Sequence, residues 1–404
     1  MSTPNTPTNI NPQPSGGNPF VNLIRNNMRQ YGMFIALVFI MLLFQVLTDG
    51  ILLRPLNITN IILQNSYILV LAIGMVLVII TGHIDLSVGS VAAFVGAISG
   101  ILIINMNVPT YLAILLSLLL GALIGAWQGF WIAYVKIPAF IVTLAGMLLF
   151  RGLTMLVLEG QSIAPYPKAF QSMSSGFIPD IFSGDSGLQW FTIIIGVVFS
   201  IIYVLLELRN RNNQLKYDFE VSSKGIFLAK IVAMIAIINV FTFILAQYEG
   251  IPTVLIILFV LVVAYSFVMK KTIIGRHVYA IGGSEKAASL SGVKTKRVTF
   301  WVFVNMGVLS ALAGLIFAAR LNAATPKAGN LFELDAIAAC FIGGASVYGG
   351  IGTVGGAIVG GLVMGVMNNG MSIIGLGIDW QQAIKGLVLL AAVAFDFYYK
   401  NKTS

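Results

Sequence analysis

The chain has 404 residues, of which 58% are hydrophobic and only 9% are charged, and its formal net charge is +9. A soluble domain carries roughly a quarter charged residues, so this composition excludes an ordinary water-soluble protein. A transmembrane β-barrel is excluded too, because its strands alternate apolar and polar residues. The apolar runs here are continuous and close to the roughly twenty residues of a membrane-spanning helix. The basic excess is typical of cytoplasmic loops and is no sign of nucleic-acid binding.

The first 30 residues are rich in Asn, Pro, Thr and Gly, which predicts a disordered cytoplasmic tail. Residues 31–399 are expected to form a single transmembrane domain. Its apolar segments lie near 31–49, 60–81, 86–105, 109–135, 138–157, 188–206, 225–247, 251–269, 298–319, 336–348, 353–374 and 381–398. The segment near 336–348 is too short to cross unaided and is expected to be a half-helix or a re-entrant piece. The prediction is an all-α, polytopic membrane protein with about 10–12 transmembrane helices, some broken or re-entrant.

The distribution of Lys and Arg predicts the orientation. If the N-terminus is cytoplasmic and each segment crosses once, 16 basic residues fall inside and 4 outside. We therefore expect both termini in the cytoplasm, an external loop at 158–187 and a cytoplasmic loop at 270–297.

No motif for covalent chemistry is visible in the sequence. There is no G-x-x-x-x-G-K-[ST] phosphate loop. His83, His277 and Cys340 are the only histidines and cysteine, too few for a metal cluster. We expect a chain that is not an enzyme and binds neither a metal nor a cofactor.

Two glycine clusters interrupt apolar runs, one from Gly82 to Gly89 and one from Gly343 and Gly344 to Gly352. Broken helices are tolerated in a membrane where they line a cavity or are buried in protein. A translocation pathway and a packing kink are both open interpretations. Most other glycines fit tight helix packing.

Ionisable and polar residues inside apolar sequence give further pathway candidates. Asp85 is either a cap for the helix that follows it or a gating residue. Arg151 must extend its guanidinium to the membrane surface, pair with another polar group or face a water-filled space. Asn65 and Asn305 have amides that suit a sugar hydroxyl, although polar contacts between helices explain them equally well. Lys385 is expected to be an interfacial anchor.

The stretch "GRHVYAIGGSEKAASLSGVKTKR" (275–297) is unusually polar, and seven basic residues fall between Lys270 and Arg297. Within it, "SEKAASLSG" predicts a short helix that Ser284 caps and Gly292 ends. A positive-inside anchor would explain the charge but not this pattern. The order of residues, which also includes Gly282 and Gly283, favours a docking helix.

"EKAASLSG" resembles the cytoplasmic coupling loop of ATP-binding cassette (ABC) importer permeases. "GMVLVIITGHIDLSVGS" (74–90), "IPAFIVTLAGMLLFRG" (137–152) and "GNLFELDAIAACFIGGASVYGGIGTVGGAIVG" (329–360) resemble the ribose/galactoside/xylose permease family, and in particular its longer xylose or multiple-monosaccharide members. The resemblance implies a homodimeric permease in the bacterial cytoplasmic membrane. It also implies a partner ATPase that carries Mg-ATP, and an extracytoplasmic sugar-binding protein.

Carried over to this sequence, the resemblance assigns residues to two roles. The residues expected to dock the ATPase are Glu285, Ala287, Ala288 and Gly292. The residues expected to form the pathway and its gate are Gly82, Asp85, Gly89, Glu333, Asp335, Gly343 and Gly344. The alternatives are an ion-gradient-driven secondary transporter, an ABC permease for a non-sugar solute and a membrane scaffold.

Overall fold

The computed structural model describes residues 28–182, 187–217, 219, 221 and 223–403, and the secondary-structure elements of this part of the chain are all helices. Nearly all of the predicted tail at residues 1–30 lies outside these residues. The α-helices are α1 (Met28–Leu47), α2 (Pro55–Ile80), α3 (Val88–Gly100), α4 (Thr110–Ala133), α5 (Ala139–Val157), α6 (Lys168–Ser175), α7 (Trp190–Lys216), α8 (Lys224–Ala246), α9 (Thr253–Lys271), α10 (Ile273–Gly283), α11 (Glu285–Leu290), α12 (Thr295–Leu321), α13 (Phe332–Ile342), α14 (Val354–Ile373) and α15 (Ile378–Thr403). A π-helical turn, Ile101–Asn105, extends α3.

Within the described residues, nine helices are long and apolar enough to cross a membrane. They are α2, α3 with its π-turn, α4, α5, α7, α8, α9, α12 and α14. The prediction of an all-α membrane protein is therefore confirmed. The shorter apolar stretch of α1 (Gly32–Leu47) and the C-terminal helix α15 are not among these nine, and the count of 10–12 crossings stays a prediction.

The centre of the molecule is formed by α2 and α12. In the most apolar 18-residue stretch of each helix, 83% of the residues are buried in α2 and 72% in α12. In α7, α8 and α9 only 17% are buried. A helix that is apolar on all sides and surrounded by other helices belongs to the core of a bundle. The α7–α8 hairpin thus lies at the periphery of the bundle.

Small residues allow the central helices to approach closely. Gly121 and Gly125 of α4 lie against the backbone of Gly307 in α12, and Gly314 lies against Ala92 of α3. Added side chains would overlap with these backbones. Because burial from water does not drive helix association in lipid, close backbone packing takes its place. The prediction that glycines serve packing is confirmed at these positions.

Both predicted glycine breaks are present, with changed boundaries. The first break covers residues 81–87 between α2 and α3, and Gly82 adopts φ +80°. Gly89 does not interrupt a helix, since it lies in the first turn of α3. The second break covers residues 343–353 between α13 and α14. Since α13 has only 11 residues, the half-helix prediction is confirmed, but the helix begins at Phe332 and not near 336.

The connection between α12 and α13, residues 322–331, runs back along α3. Near its start, Ala324 pairs with Ile163 in an isolated antiparallel bridge and lies beside Gly100 at the end of α3. Near its end, Gly329 contacts Gly89 at the start of α3. This segment, named here the α3 strap, therefore follows α3 over its length and starts α13 deep within the bundle.

Candidate functional site

The cytoplasmic loop of the prediction folds into two helices, α10 and α11. The Ser284 hydroxyl accepts a hydrogen bond from the Ala287 backbone N–H at 3.2 Å, and Gly292 has φ +87° just beyond the helix. The predicted cap, helix and terminating glycine are confirmed. Helix α10 was missed because its basic residues hid an amphipathic pattern.

Helix α11 presents an exposed face of small, acidic and apolar side chains. Glu285 and Ala287 are exposed, and Leu290 is 83% exposed. All three side chains are therefore accessible to a partner protein. Ala288, by contrast, is buried. It packs α11 against the protein and is not available to a partner.

Four glycines join α10 to both helix breaks, and we call Gly82, Gly282, Gly349 and Gly350 the glycine junction. Gly282 lies against the carbonyl oxygen of Ile80 and the backbone of Gly350, while Gly349 lies against Gly82. The Gly350 N–H donates to the Ile80 carbonyl at 2.8 Å. The backbones touch here because these positions carry no side chains. Gly283, also predicted, has no neighbour within 4 Å of a Cβ.

A tyrosine hydroxyl adds a second contact at this point. Tyr279 of α10 donates to the Gly352 carbonyl oxygen at 2.8 Å. The break between α13 and α14 is thus tied to α10 by a side chain and by the glycine junction. Sequence reasoning missed Tyr279, because a lone tyrosine in a basic loop gives no distinct signal.

Gly343 and Gly344 lie elsewhere in the second break. Gly343 ends α13 and packs against the backbone of Gly356 in α14, and Gly344 has φ +82°. These two residues form the turn between α13 and α14 and do not reach the glycine junction.

Asp85 closes the turn that precedes α3. Its Oδ1 accepts hydrogen bonds from the Ser87 N–H at 2.8 Å and the Ser87 hydroxyl at 2.7 Å. The Gln128 amide of α4 donates to the same hydroxyl at 2.8 Å. Ser87, and not Asp85, occupies the N-cap position. Burial raises the pKa of Asp85 to about 6, and the Ser87 hydrogen bonds oppose the shift.

His83 lies in the same break. Burial lowers the pKa of His83, and the charge of Glu285 on α11 opposes the shift. The first break therefore lies close enough to the N-terminal end of α11 for the charge of Glu285 to act on His83.

The charged residues around α13 hold the strap and the last helix. Arg151 donates to the Ala328 carbonyl at 2.7 Å and to the Asn330 amide oxygen at 3.3 Å. This pairing was one of the alternatives for Arg151. Glu333 is buried beside Gly89, so these two predicted pathway residues meet where the strap ends.

Asp335 forms an ion pair with Lys385 of α15, and its two carboxylate oxygens lie 3.0 and 3.3 Å from the lysine Nζ. The side chain of Lys385 is 22% exposed. The prediction that Lys385 is an interfacial anchor is wrong, because the lysine points into the protein to neutralise a buried carboxylate. The pattern could not show this, since the partners are separated by 50 residues.

The two predicted amides lie between helices. Asn65 donates to the Ile61 carbonyl at 2.8 Å and packs against Gly365 of α14. Asn305 accepts a hydrogen bond from the Tyr265 hydroxyl, and its Nδ2 is buried without a partner among the described residues. Neither amide lies at the glycine junction or the strap.

The comparisons with known proteins agree with this architecture. The family described as "branched-chain amino acid transport system / permease component" matches residues 57–393. The xylose transport system permease protein of Haemophilus influenzae is 40% identical over 376 residues, which cover 93% of this chain and 98% of that protein. The xylose permease protein of Escherichia coli K12 is 38% identical over 96% of both chains.

A ribose import permease protein of Bacillus subtilis 168 is 35% identical, over 91% of this chain and 93% of that protein. No solved structure matches the chain. The family match spans well over half of the chain, and the similarity to the permeases is close to full length. The chain therefore belongs to this family of permease components, and it is the multi-pass membrane permease of an ABC-type import system in the bacterial cytoplasmic membrane.

Proposed function

We propose that this permease carries a monosaccharide, xylose or a related pentose or hexose, into the cytoplasm. The observation that carries the proposal is the similarity to two xylose permease proteins over nearly the whole of each chain. Their identity exceeds that of the ribose permease. The sugar is delivered by an extracytoplasmic binding protein, and the permease works as a homodimer with both termini in the cytoplasm.

Helix α11 docks a separate ATPase subunit, which binds Mg-ATP and hydrolyses it. Glu285, Ala287 and Leu290 supply the contact face, and Gly292 sets the exit of the loop. The exposed Leu290 supports this role. This chain binds no cofactor of its own.

The translocation pathway passes the two helix breaks and the start of α13. Gly82, Asp85 and Gly89 belong to the first break and the helix that follows it, and Glu333 and Asp335 lie on α13. The support is physical: carboxylates are costly inside a membrane unless they face water or a charged partner. Broken backbone likewise needs a polar or protein-lined setting.

The test is reconstitution in proteoliposomes with the ATPase and a sugar-loaded binding protein. Glu285→Ala and Ala287→Arg are expected to abolish ATP-driven xylose uptake and to weaken ATPase binding. Both residues are exposed, so the permease should still fold. Ser289→Ala, an exposed change on the same helix, is the control. Xylose uptake by the permease alone, driven by a proton or sodium gradient, would favour the secondary transporter.

A further inference from the structure

Three aromatic rings meet where α2, α12 and α13 come together. The ring centroids of Tyr67 and Phe332 are 4.1 Å apart, those of Tyr67 and Phe317 are 5.1 Å apart, and those of Phe317 and Phe332 are 4.9 Å apart. We call these three residues the aromatic corner. Phe332 is buried, while Tyr67 and Phe317 are only partly buried, so part of two rings stays accessible.

Charged groups of both signs surround the aromatic corner. The charged neighbours of Tyr67 are Arg320, one turn beyond Phe317, and Asp335, one turn beyond Phe332. Lys385 already neutralises Asp335. Neither the Arg320 guanidinium nor the Tyr67 hydroxyl has a hydrogen-bond partner among the described residues. Both groups are therefore available to hydrogen-bond a ligand.

A narrow cleft of about 10 Å³, which is room for one water molecule, leads to the same place. Its walls are small residues of α3 and α12, its floor includes Phe317 and Phe332, and its lid is the α3 strap, with Thr325 and Ala328 on the lining. Pockets for small molecules usually measure roughly 300–1,000 Å³. The strap must therefore move outward before a sugar can enter.

We infer that the aromatic corner, with Arg320 and Asp335, is a binding station for a neutral monosaccharide on its way through the permease. This inference rests on the proposed sugar-import function. Apolar rings with a few converging polar groups are the usual lining of a small-molecule site. The guanidinium has up to five N–H donors for sugar oxygens, and the carboxylate of Asp335 accepts from sugar hydroxyls while Lys385 keeps its charge balanced. A neutral ligand leaves this balance unchanged.

The experiment measures sugar moved per ATP hydrolysed in proteoliposomes that hold the permease, the ATPase and the binding protein. Tyr67→Phe and Arg320→Gln are expected to lower this ratio about tenfold, the effect of roughly 1.4 kcal/mol. ATPase stimulation by the loaded binding protein should persist, because neither residue lies on α11, the proposed docking helix. Lys224→Gln, an exposed change at the start of the peripheral helix α8 with the same loss of charge, should keep the wild-type ratio.

A second readout separates a sugar contact from a structural role. The uptake of ribose and of 2-deoxyribose is compared in wild type and in Tyr67→Phe with the same binding protein. If the hydroxyl of Tyr67 or its neighbours contact the sugar, the variant changes the preference between the two sugars. Equal preference together with a normal ratio per ATP in both variants would overturn the binding station. A wild type that fails to transport any sugar would instead refute the proposed function.

If Arg320→Gln does not assemble, Tyr67→Phe decides the question alone, since it removes a single oxygen atom that makes no hydrogen bond within the described chain.

Discussion

At the scale of single residues, Gly282 is the position where a side chain is least tolerable. A Cβ there would overlap with the Ile80 carbonyl oxygen and the Gly350 backbone, whereas a Cβ on the neighbouring Gly283 meets nothing within 4 Å. Backbone atoms cannot move aside as a flexible side chain can. The glycine junction therefore requires Gly282 for packing, not for an unusual backbone angle.

We predict that Gly282→Ala lowers the melting temperature of the purified permease in detergent by several degrees. Forced overpacking costs about 1–3 kcal/mol. Gly283→Ala should leave the melting temperature close to that of wild type. Fluorescence-detected thermal unfolding of the three proteins checks this. Equal melting temperatures would mean that the junction is looser than the structure describes.

The burial of Asp85 predicts how the stability of the protein depends on pH. Its pKa in the folded protein is raised from 3.8 to about 6, so the folded state binds more protons than the unfolded state between these values. The free energy of unfolding therefore falls as pH rises through this range, and the loss is complete by about pH 7. The ionised carboxylate is the costly form, because it is buried.

Asp85→Asn retains an oxygen for the Ser87 N–H and cannot ionise. We expect its melting temperature to exceed that of wild type by several degrees at pH 7.5, and the difference to shrink as the pH falls towards 4.5. Thermal unfolding from pH 4.5 to 8 measures the difference. Asp379→Asn, on the exposed surface of α15, is the control. A constant difference across this range would contradict the assignment of the titration to Asp85.

At the scale of elements, the sequence could predict what is local. The capped helix at 285–290 follows from Ser284 and Gly292, and the apolar segments follow from hydropathy. It could not predict that the α3 strap turns inward, because only distant contacts hold it, from Arg151 to Ala328 and from Gly329 to Gly89. The start of α13 was missed for a related reason. Glu333 and Asp335 resemble loop residues until their burial is known.

The strap can be tested by a cross-link. Ile163 and Ala324 exchange two backbone hydrogen bonds of 3.0 and 2.9 Å, and such antiparallel pairs have Cα atoms about 5.5 Å apart, within the range of a disulfide. We predict that Ile163→Cys/Ala324→Cys oxidises readily. The cross-linked protein should lose sugar uptake and regain it on reduction, because the strap covers the cleft.

The single variant Ile163→Cys is the control for this cross-link, and gel mobility after proteolysis between the two positions reports the extent of oxidation. Full uptake by the oxidised double variant would show that the strap stays in place during transport.

At the scale of the whole molecule, the bundle has a buried centre and a loosely attached margin. Helices α2, α12 and α14 bring both breaks and the strap together, while α7 and α8 present most of their surface outward. None of the proposed functional residues lies on α7 or α8. Variation in the α7–α8 hairpin can therefore change the lipid-facing surface without disturbing the glycine junction.

The orientation of the chain in the membrane can be measured by labelling introduced cysteines, because the native cysteine is not expected to react. Cys340 is the only cysteine, it is fully buried, and it lies 3.5 Å from the Ala72 carbonyl. We predict that a membrane-impermeant maleimide leaves the wild type unlabelled in intact spheroplasts. Gln161→Cys should react under the same conditions, and Lys296→Cys only after permeabilisation, because both positions are exposed and the proposed topology puts them on opposite sides of the membrane. The reverse pattern would invert the proposed topology and place α11 where no cytoplasmic ATPase could reach it.

Labelling of both variants before permeabilisation would indicate leaky spheroplasts, which a cytoplasmic marker enzyme in the supernatant detects.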